Sequence, residues 1–281
     1  MKVVEWINAH GGLVARRDAN RAGFSDYRIR KAREAGTITT LSGGWLATQS
    51  AGAELVRAAW YGGRLARVTA AVARGTWVLG DERVHVSLAP NSKAAAERDV
   101  RLHRSIPRVP VARAVRIESV IDMLEHVAIC LPFEQALAIW ESAIRRGLVD
   151  PRSLNQVAWR RLASRALAAA ASWLSDSGLE TMVAARLRDW GIDFHQQVKL
   201  LGHNVDLLIG ERLVVQIDGW EFHSSAADRN RDIRHDAKLK LAGYHVIRLS
   251  YADVVHGWAG IEAELQLAIA QHLHRAPSAN W

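Results

Sequence analysis

The chain has 281 residues, a formal net charge of +8 and a single cysteine, Cys130. One cysteine excludes an internal disulfide framework, an iron–sulfur cluster and a multi-thiolate zinc centre. Hydrophobic residues make up 49% and charged residues 23% of the chain, which excludes a wholly disordered protein. No apolar run approaches the roughly 18 residues of a membrane span, and the first residues lack a signal-peptide core. We therefore expect a soluble, cytoplasmic protein with no membrane partner.

The charge is distributed unevenly along the sequence. Residues 1–90 carry a net +6, residues 91–172 a net +5 and residues 173–281 a net −3. A basic front indicates contact with a polyanion, and an acidic back indicates a collection of carboxylates. A GC-rich genome is the alternative explanation, since only six of the 37 cations are Lys. Such a bias explains the preference for Arg but not the gradient.

The first residues predict two helices. The apolar spacing over residues 3–14 favours one helix and its continuation. Asp18 is a candidate N-cap for a second helix that ends near Gly23.

A third helix and a hairpin are predicted next. Ser25 is a good N-cap for a helix over residues 26–35, which Gly36 closes at its C-terminus. The segments TITTL and WLAT flank a Ser42-Gly43-Gly44 turn and predict a two-stranded hairpin. Three helices followed by a hairpin are typical of a winged helix-turn-helix.

The third predicted helix is basic. Its cations are the candidate DNA-binding residues Arg28, Arg30, Lys31 and Arg33. They cover much of the helix circumference and leave Tyr27 or Ile29 to face the core. Guanidinium groups pair with phosphate oxygens, so contact with DNA is predicted, although a solvated helix in a protein-binding module is the alternative.

Residues 51–165 show no catalytic spacing. TWVLG and RVHVSL predict a pair of strands, and amphipathic helices are predicted over residues 119–126 and 133–146. We expect a connecting or partner-binding domain.

The front of the chain contains the stretch GGLVARRDANRAGFSDYRIRKAREAGTITTLSGGWLAT. Through this stretch it resembles the type IV antitoxin family associated with abortive infection, and the resemblance covers about residues 1–160. It implies a winged helix followed by an α/β segment, DNA binding rather than catalysis, and a toxin or other protein as a further partner.

From about residue 173 the pattern predicts the order α-β-β-β-α-β-α. A terminal β-α-β element indicates a mixed sheet covered by helices. The whole chain is thus predicted to be an α/β protein, α+β overall, with domains at residues 1–50, 51–165 and 173–281.

Polar residues gather on the strands of this last domain. In LVVQIDG, alternation places Val214, Gln216 and Asp218 on one face. A hairpin that turns near Glu211 puts Asp206 opposite or diagonal to Gln216. Because burying an unpaired carboxylate costs free energy, we expect a cation or a water molecule to bind these side chains.

These groups predict a divalent-cation site. Asp206 and Asp218 offer hard oxygen ligands for Mg²⁺ or Mn²⁺, and Glu180 reaches them from the preceding helix. Such a metal activates water for attack on phosphate. His223 is positioned in sequence to take or relay the proton.

The motifs SGLETMV, VDLLI, DGWEFH and GYHVIRLS mark the back of the chain. Through them it resembles the endonuclease-like domain related to very-short-patch-repair enzymes, within the PD-(D/E)XK nuclease superfamily, and this resemblance covers roughly the last 110 residues. It implies metal binding by Asp206, Gln216, the carbonyl of Ile217 and Asp218. It also implies catalytic roles for Glu180 and His223.

Two departures from the family pattern matter. Gln216 stands where relatives have Glu, which removes a negative charge and weakens Mg²⁺ binding. Asp218 occupies the position of the superfamily lysine, so Lys238, Arg231 or Arg234 is expected to supply the positive charge.

Each of these residues has a structural alternative. Glu180 could be a solvated or capping carboxylate, the charges of the DRNRDIRHDAK helix could form a salt-bridged surface, and His223 could pack beside Phe222. Two functions stay open: a Mg²⁺-dependent DNA endonuclease positioned by its winged helix, and a DNA-binding regulator whose nuclease fold is inactive.

Overall fold

The computed structural model describes residues 1–80, 83–110, 112, 115–218 and 226–276, with the side chains of 226–230 and 232 excepted. These residues fold into two compact units. The first comprises residues 1–130 and 159–164, and the second comprises residues 131–158 and 165–281. The predicted division into three domains, whose segment 51–165 belongs partly to each unit, stays a prediction.

The first unit opens with helices interleaved with a small antiparallel sheet of order β1-β3-β2. Its elements are α1 (Val3–Ala9), β1 (Leu13–Ala15), α2 (Arg16–Arg21), α3 (Asp26–Glu34), β2 (Thr39–Leu41), a 3₁₀ turn (Ser42–Gly44) and β3 (Trp45–Ala47). Buried side chains from all three helices and from β1 and β3 form one apolar cluster, which includes Ile7, Ile29 and Leu46. Burial of this cluster therefore ties the helices to the sheet.

The third helix agrees with its sequence signals. The Ser25 hydroxyl accepts a hydrogen bond from the Arg28 backbone N–H at 3.4 Å, as expected of an N-cap. Gly36 follows the helix with φ +69°, a left-handed conformation that glycine adopts without strain. Ile29, and not Tyr27, faces the core, since Ile29 is buried whereas Tyr27 is exposed.

The helical continuation predicted over residues 3–14 is wrong, because β1 stands in its place. Gly11 and Gly12 end the helix with φ values near +80°. A Cβ on Gly12 would clash with the backbone of Ala51. This turn between α1 and β1 therefore requires glycine. Asp18 does not cap α2 either. The strand runs to Ala15, and the helix begins directly after it.

The rest of the first unit surrounds a mixed sheet of order β4-β5-β6. Its elements are α4 (Ala53–Trp60), β4 (Arg64–Leu65), α5 (Arg67–Ala73), β5 (Val84–Leu88), β6 (Val100–Arg104) and α6 (Val120–Val127). RVHVSL forms β5 as predicted, but TWVLG forms no strand. Thr76 instead closes α5, since its N–H and hydroxyl both donate to the Ala71 carbonyl.

The second unit contains a mixed sheet of order β10-β9-β8-β7, in which only β10 and β9 are parallel. Its elements are α7 (Phe133–Arg145), α8 (Pro151–Leu154), α10 (Gly178–Arg188), β7 (Phe194–Leu200), β8 (His203–Ile209), β9 (Leu213–Ile217), α11 (Ala226–Leu241), β10 (His245–Leu249), α12 (Tyr251–Val255) and α13 (Trp258–Ala270). Helix α9 (Leu162–Ala170) begins in the first unit and ends in the second. The element order from residue 173 matches the prediction, with the short α12 added.

The central strand β9 is the innermost part of this sheet. All five of its residues are buried, and it pairs with β8 on one side and β10 on the other. Helix α10 packs against α7, where the buried Glu141 carboxylate accepts a hydrogen bond from the Thr181 hydroxyl at 2.7 Å. These contacts fix the start of α10, which carries Glu180.

The chain is an α+β protein, in agreement with its sequence pattern. Within the described part of the chain, the helices are too short or too polar to cross a membrane.

Candidate active site

The candidate site lies where β9 ends beside β8. The last paired residues of the two strands are Leu207 and Val215, so the register continues to place Asp206 opposite Gln216. The Ile217 backbone N–H donates a hydrogen bond to Asp206 Oδ2 at 2.6 Å. The sequence pattern predicts this cross-strand arrangement correctly.

Asp206 is an electrostatically unusual carboxyl group. Burial raises its pKa to about 7, and the negative charges of Glu180 and Asp218 act in the same direction. The hydrogen bond from Ile217 and the charge of Arg248 oppose this shift but do not cancel it. Near neutral pH the group is thus close to half-protonated.

Glu180 is held from the first turn of α10. Its side chain is 5% exposed, and its Oε2 accepts hydrogen bonds from the Asp176 backbone N–H and from Gln197 Nε2, both at 2.9 Å. Ser177 caps the same turn by accepting from the Glu180 N–H at 3.2 Å. The Glu180 carboxylate therefore accepts hydrogen bonds at the start of α10, in agreement with the interpretation of Glu180 as a capping residue. Its negative charge also acts on Asp206.

Gln197 joins this group from β7, and the sequence analysis does not single it out. The flanking pairs Gln196–Leu207 and Val198–Val205 place it opposite Asp206. Its φ of +53° is a left-handed conformation inside a strand, which is strained for a residue with a side chain. The HQQV stretch before VDLLI carries two glutamines, but nothing in the sequence marks which one bonds to Glu180.

Arg248 brings a positive charge to the site that the sequence pattern does not indicate. It lies beside Gln216 in the parallel register of β9 and β10. Its guanidinium donates two hydrogen bonds to the Asp218 carboxylate, from Nε at 3.3 Å and from Nη2 at 3.0 Å. Nη1 donates a third to Asp236 Oδ2 at 2.8 Å. Burial lowers the pKa of Arg248, but these two carboxylates outweigh burial and raise it. The GYHVIRLS segment contains this arginine, and only the strand register brings it to the site.

A polar cavity of about 280 Å³ opens at this point. Its lining includes charged and amide side chains that could bind a ligand, namely Asp206, Gln216, Asp218, Arg231, Asp236 and Arg248. His235, which is 7% exposed, also lines the cavity and contacts the Leu200 carbonyl through Nε2 at 3.1 Å. Glu180 is not among the described residues of the lining.

Residues 179–269 match the family model REase_MTES_1575. The REase_MTES_1575 match gives the C-terminal part of the chain a restriction-endonuclease-like character. It covers every C-terminal site residue named above, from Glu180 to Arg248, but less than half of the chain. No curated protein matches the chain. The resemblance of the first residues to type IV antitoxins receives no support from these comparisons and stays a prediction.

Not every predicted residue is brought to this cavity. Lys238 is exposed on α11 and is not among the described residues that line the cavity, nor is Arg234. Arg231 does line it. His223 falls within residues 219–225, outside the described residues, so its predicted role stays a prediction.

The oxygen groups present suit a divalent cation by their chemistry. Within the described ranges, no group of three or more His, Cys, Asp or Glu side chains is arranged to hold a metal. The set at hand is the Asp206 carboxylate, the Gln216 amide and the Ile217 carbonyl, since Asp218 is engaged by Arg248. Mg²⁺ favours such oxygen ligands and keeps several waters. A cation there would also offset the cost of burying the Asp206 charge.

The candidate DNA-binding cations lie on α3. Arg28, Arg30, Lys31 and Arg33 are all exposed. Arg30 is 3.9 Å from Glu34, and both Arg30 and Lys31 lie over the exposed ring of Tyr27 at about 5.5 Å. The helix therefore presents cations and an aromatic ring together on its solvent side.

Proposed function

We propose that this protein is a Mg²⁺-dependent DNA endonuclease that hydrolyses phosphodiester bonds. The observation that carries the proposal is the half-buried Asp206 opposite Gln216, with Glu180 and Arg248 beside it, inside the segment that matches a restriction-endonuclease family. Its resemblance to very-short-patch-repair-related endonucleases supports DNA as the substrate.

Asp206, Gln216 and the Ile217 carbonyl would hold Mg²⁺ or Mn²⁺. The bound metal supplies a polarised phosphate and an acidic water. Asp206 must be ionised to bind it, so its raised pKa makes metal and proton compete for the same oxygen. Glu180 is fixed by two hydrogen bonds and adds negative charge behind Asp206.

Arg248 prepares the cavity for a negatively charged substrate. Three carboxylates, Asp206, Asp218 and Asp236, would repel a phosphodiester from this cavity. By pairing with two of them, Arg248 leaves Asp206 as the carboxylate that faces a cation. We propose that His223 takes the proton of the attacking water and that Asp218 acts through Arg248, while the exposed Lys238 stays outside this group.

For the first residues we propose a winged helix that binds DNA through α3. Replacing Arg28 or Lys31 by Gln should weaken binding and lower the slope of log affinity against log salt by about 1 for each phosphate that the variant no longer neutralises. Fluorescence anisotropy with a labelled duplex across a salt series measures this slope. Lys240→Gln, which removes an exposed cation of α11, is the control. Equal slopes for all variants would contradict binding through α3.

A DNA-binding regulator with an inactive nuclease fold is the second candidate. Gln216 at a position usually held by Glu, and the engagement of Asp218 by Arg248, favour it. Under this proposal DNA binding persists in EDTA, no strand is cut, and the acidic end of the chain contacts a protein partner such as a toxin.

Calorimetric titration with Mn²⁺ separates the two candidates, and plasmid cleavage is the direct test of activity. The nuclease proposal predicts heat of binding for the wild type and for Asp193→Ala, an exposed carboxylate, but none for Asp206→Ala. Absence of binding in the wild type would contradict a metal-dependent enzyme.

A further inference from the structure

The first unit contains a second cavity that the nuclease proposal does not use. Its volume is about 590 Å³, within the range of about 300–1,000 Å³ typical of small-molecule sites. It is formed by the start of α2, the glycines of the 3₁₀ turn, strands β4 and β5, and the segment at residues 105–107.

Four arginines line this cavity: Arg16, Arg17, Arg64 and Arg116. Arg116 lies over the ring of Trp45 at 4.0 Å and donates to the Gly63 carbonyl at 2.6 Å, so its guanidinium is fixed. Arg64 donates to the Val115 carbonyl at 3.0 Å. The side chains of Arg16 and Arg17 remain about half exposed, and their guanidinium groups lie 3.0 Å from Asp26 and 3.8 Å from Asp18.

The positive charges are close enough to act on one another. Burial, together with the charges of Arg64 and Arg17, lowers the pKa of Arg116 to about 10. Holding like charges together costs free energy that an anion would offset. The cavity is thus electrostatically prepared for a negative group.

The acidic residues of the lining are already occupied. Asp122 accepts from the Arg108 backbone N–H at 2.6 Å and from the Ser119 hydroxyl at 2.7 Å. Glu118 lies 3.0 Å from His126 Nδ1 and accepts from the Arg67 N–H at 3.2 Å. Both carboxylates are buried, and the four arginines outnumber them, so the lining keeps a net positive charge.

An apolar wall forms another part of the lining. Leu88, Pro90, Ile106 and Pro107 contribute to it. A purely ionic ligand would gain nothing from these side chains, whereas an organic phosphate ester would use both walls.

We infer that this cavity binds a small phosphate ester of mononucleotide size, held by guanidinium groups at its phosphate and by the apolar wall at its organic part. The planar guanidinium favours phosphate because it donates two parallel hydrogen bonds. This inference is independent of the proposed nuclease activity.

Calorimetry of the full chain with AMP, adenosine and inorganic phosphate tests the inference. We expect AMP to bind, adenosine not to bind, and inorganic phosphate to bind at least fivefold more weakly than AMP. Arg17→Gln should lower AMP affinity at least fivefold, whereas Arg21→Gln, an exposed cation of the same helix that does not line the cavity, should leave it unchanged. Arg17 is half exposed, so its variant tests the site without the risk that replacing the stacked Arg116 would unfold it.

Three results would overturn the inference. They are no binding of AMP, equal binding of AMP by wild type and Arg17→Gln, and equal binding of AMP and adenosine. A labelled DNA duplex serves as the last probe. If Arg17→Gln weakens duplex binding while AMP does not bind at all, the arginines contact the DNA backbone and the small-molecule site is excluded.

Discussion

At the scale of single residues, Asp206 decides how the second unit responds to pH. Its pKa of about 7 in the folded chain lies well above the value near 4 of an unfolded aspartate. Between these values the folded state binds more protons than the unfolded state. The free energy of unfolding should therefore fall as pH rises from about 4 to 7.

Asp206→Asn should remove this dependence, because the amide keeps an oxygen that accepts from Ile217 but carries no charge. In EDTA at pH 8 the variant should be more stable than the wild type by about 2–4 kcal/mol, since each pKa unit corresponds to about 1.4 kcal/mol. At pH 4 the two proteins should be nearly equal. Urea unfolding at both pH values measures the difference, and equal stabilities at pH 8 would contradict the raised pKa.

Gln197 combines a strained backbone with a functional contact. Both Gln197→Gly and Gln197→Ala lose the hydrogen bond to Glu180, but only glycine adopts a φ of +53° without cost. The glycine variant should be more stable than the alanine variant by about 1 kcal/mol. Urea unfolding compares them, and an alanine variant of equal or greater stability would show that the strain is absent.

These residues also show the limit of sequence reasoning about a site. Alternation along LVVQIDG and the position of the hairpin turn suffice to place Asp206 near Gln216, because antiparallel register follows from the turn. Arg248 could not be placed, since β10 joins β9 through α11 and its parallel register has no local signature. Gln197 could not be placed for another reason: its left-handed backbone accompanies the contact with Glu180, and no glycine marks that conformation in the sequence.

At the scale of elements, α10 connects the core to the candidate site. One side of the helix packs on α7, and its first turn carries Glu180 between Asp176 and Gln197. The N-cap therefore has two consequences, one for helix stability and one for the position of a carboxylate.

Ser177→Ala should lower stability by about 1 kcal/mol, since the helix loses its capping acceptor. Any nuclease activity should fall as well, because Glu180 loses its fixed position. Ser25→Ala, which removes the matching cap of α3, should lower stability by a similar amount without changing cleavage per DNA-bound enzyme. Activity that falls equally in both variants would show that Ser177 acts through stability alone.

Element prediction is accurate where local signals are strong. Ser25 and Gly36 bracket α3, and Ser177 precedes α10, because caps satisfy backbone groups that any helix leaves open. The failure at β1 has a tertiary cause, whereas the failure at TWVLG has a local one. Leu13–Ala15 are apolar enough to continue a helix, but pairing with β3 takes them into a sheet. Residues 76–80 are apolar enough for a strand, but Thr76 is hydrogen-bonded to the Ala71 carbonyl at the end of α5.

At the scale of the whole molecule, the net charge of +8 resolves into separate local arrangements. The first unit exposes the cations of α3 and surrounds a cavity with four arginines. The second unit gathers Glu180, Asp206, Asp218 and Asp236, with Arg248 among them. The charge gradient in the sequence predicts this separation in sign, although it does not reveal that one arginine stabilises the acidic cluster.

Cleavage of DNA is the most direct measurement of the central claim. Full-length protein is incubated with supercoiled and linear DNA in Mg²⁺, in Mn²⁺ and in EDTA, and strand breaks are followed on gels. We predict breaks by the wild type and by Asp193→Ala with either metal, none in EDTA, and a loss of at least a hundredfold in Asp206→Ala. Equal background cleavage by wild type and Asp206→Ala would contradict the proposed nuclease site.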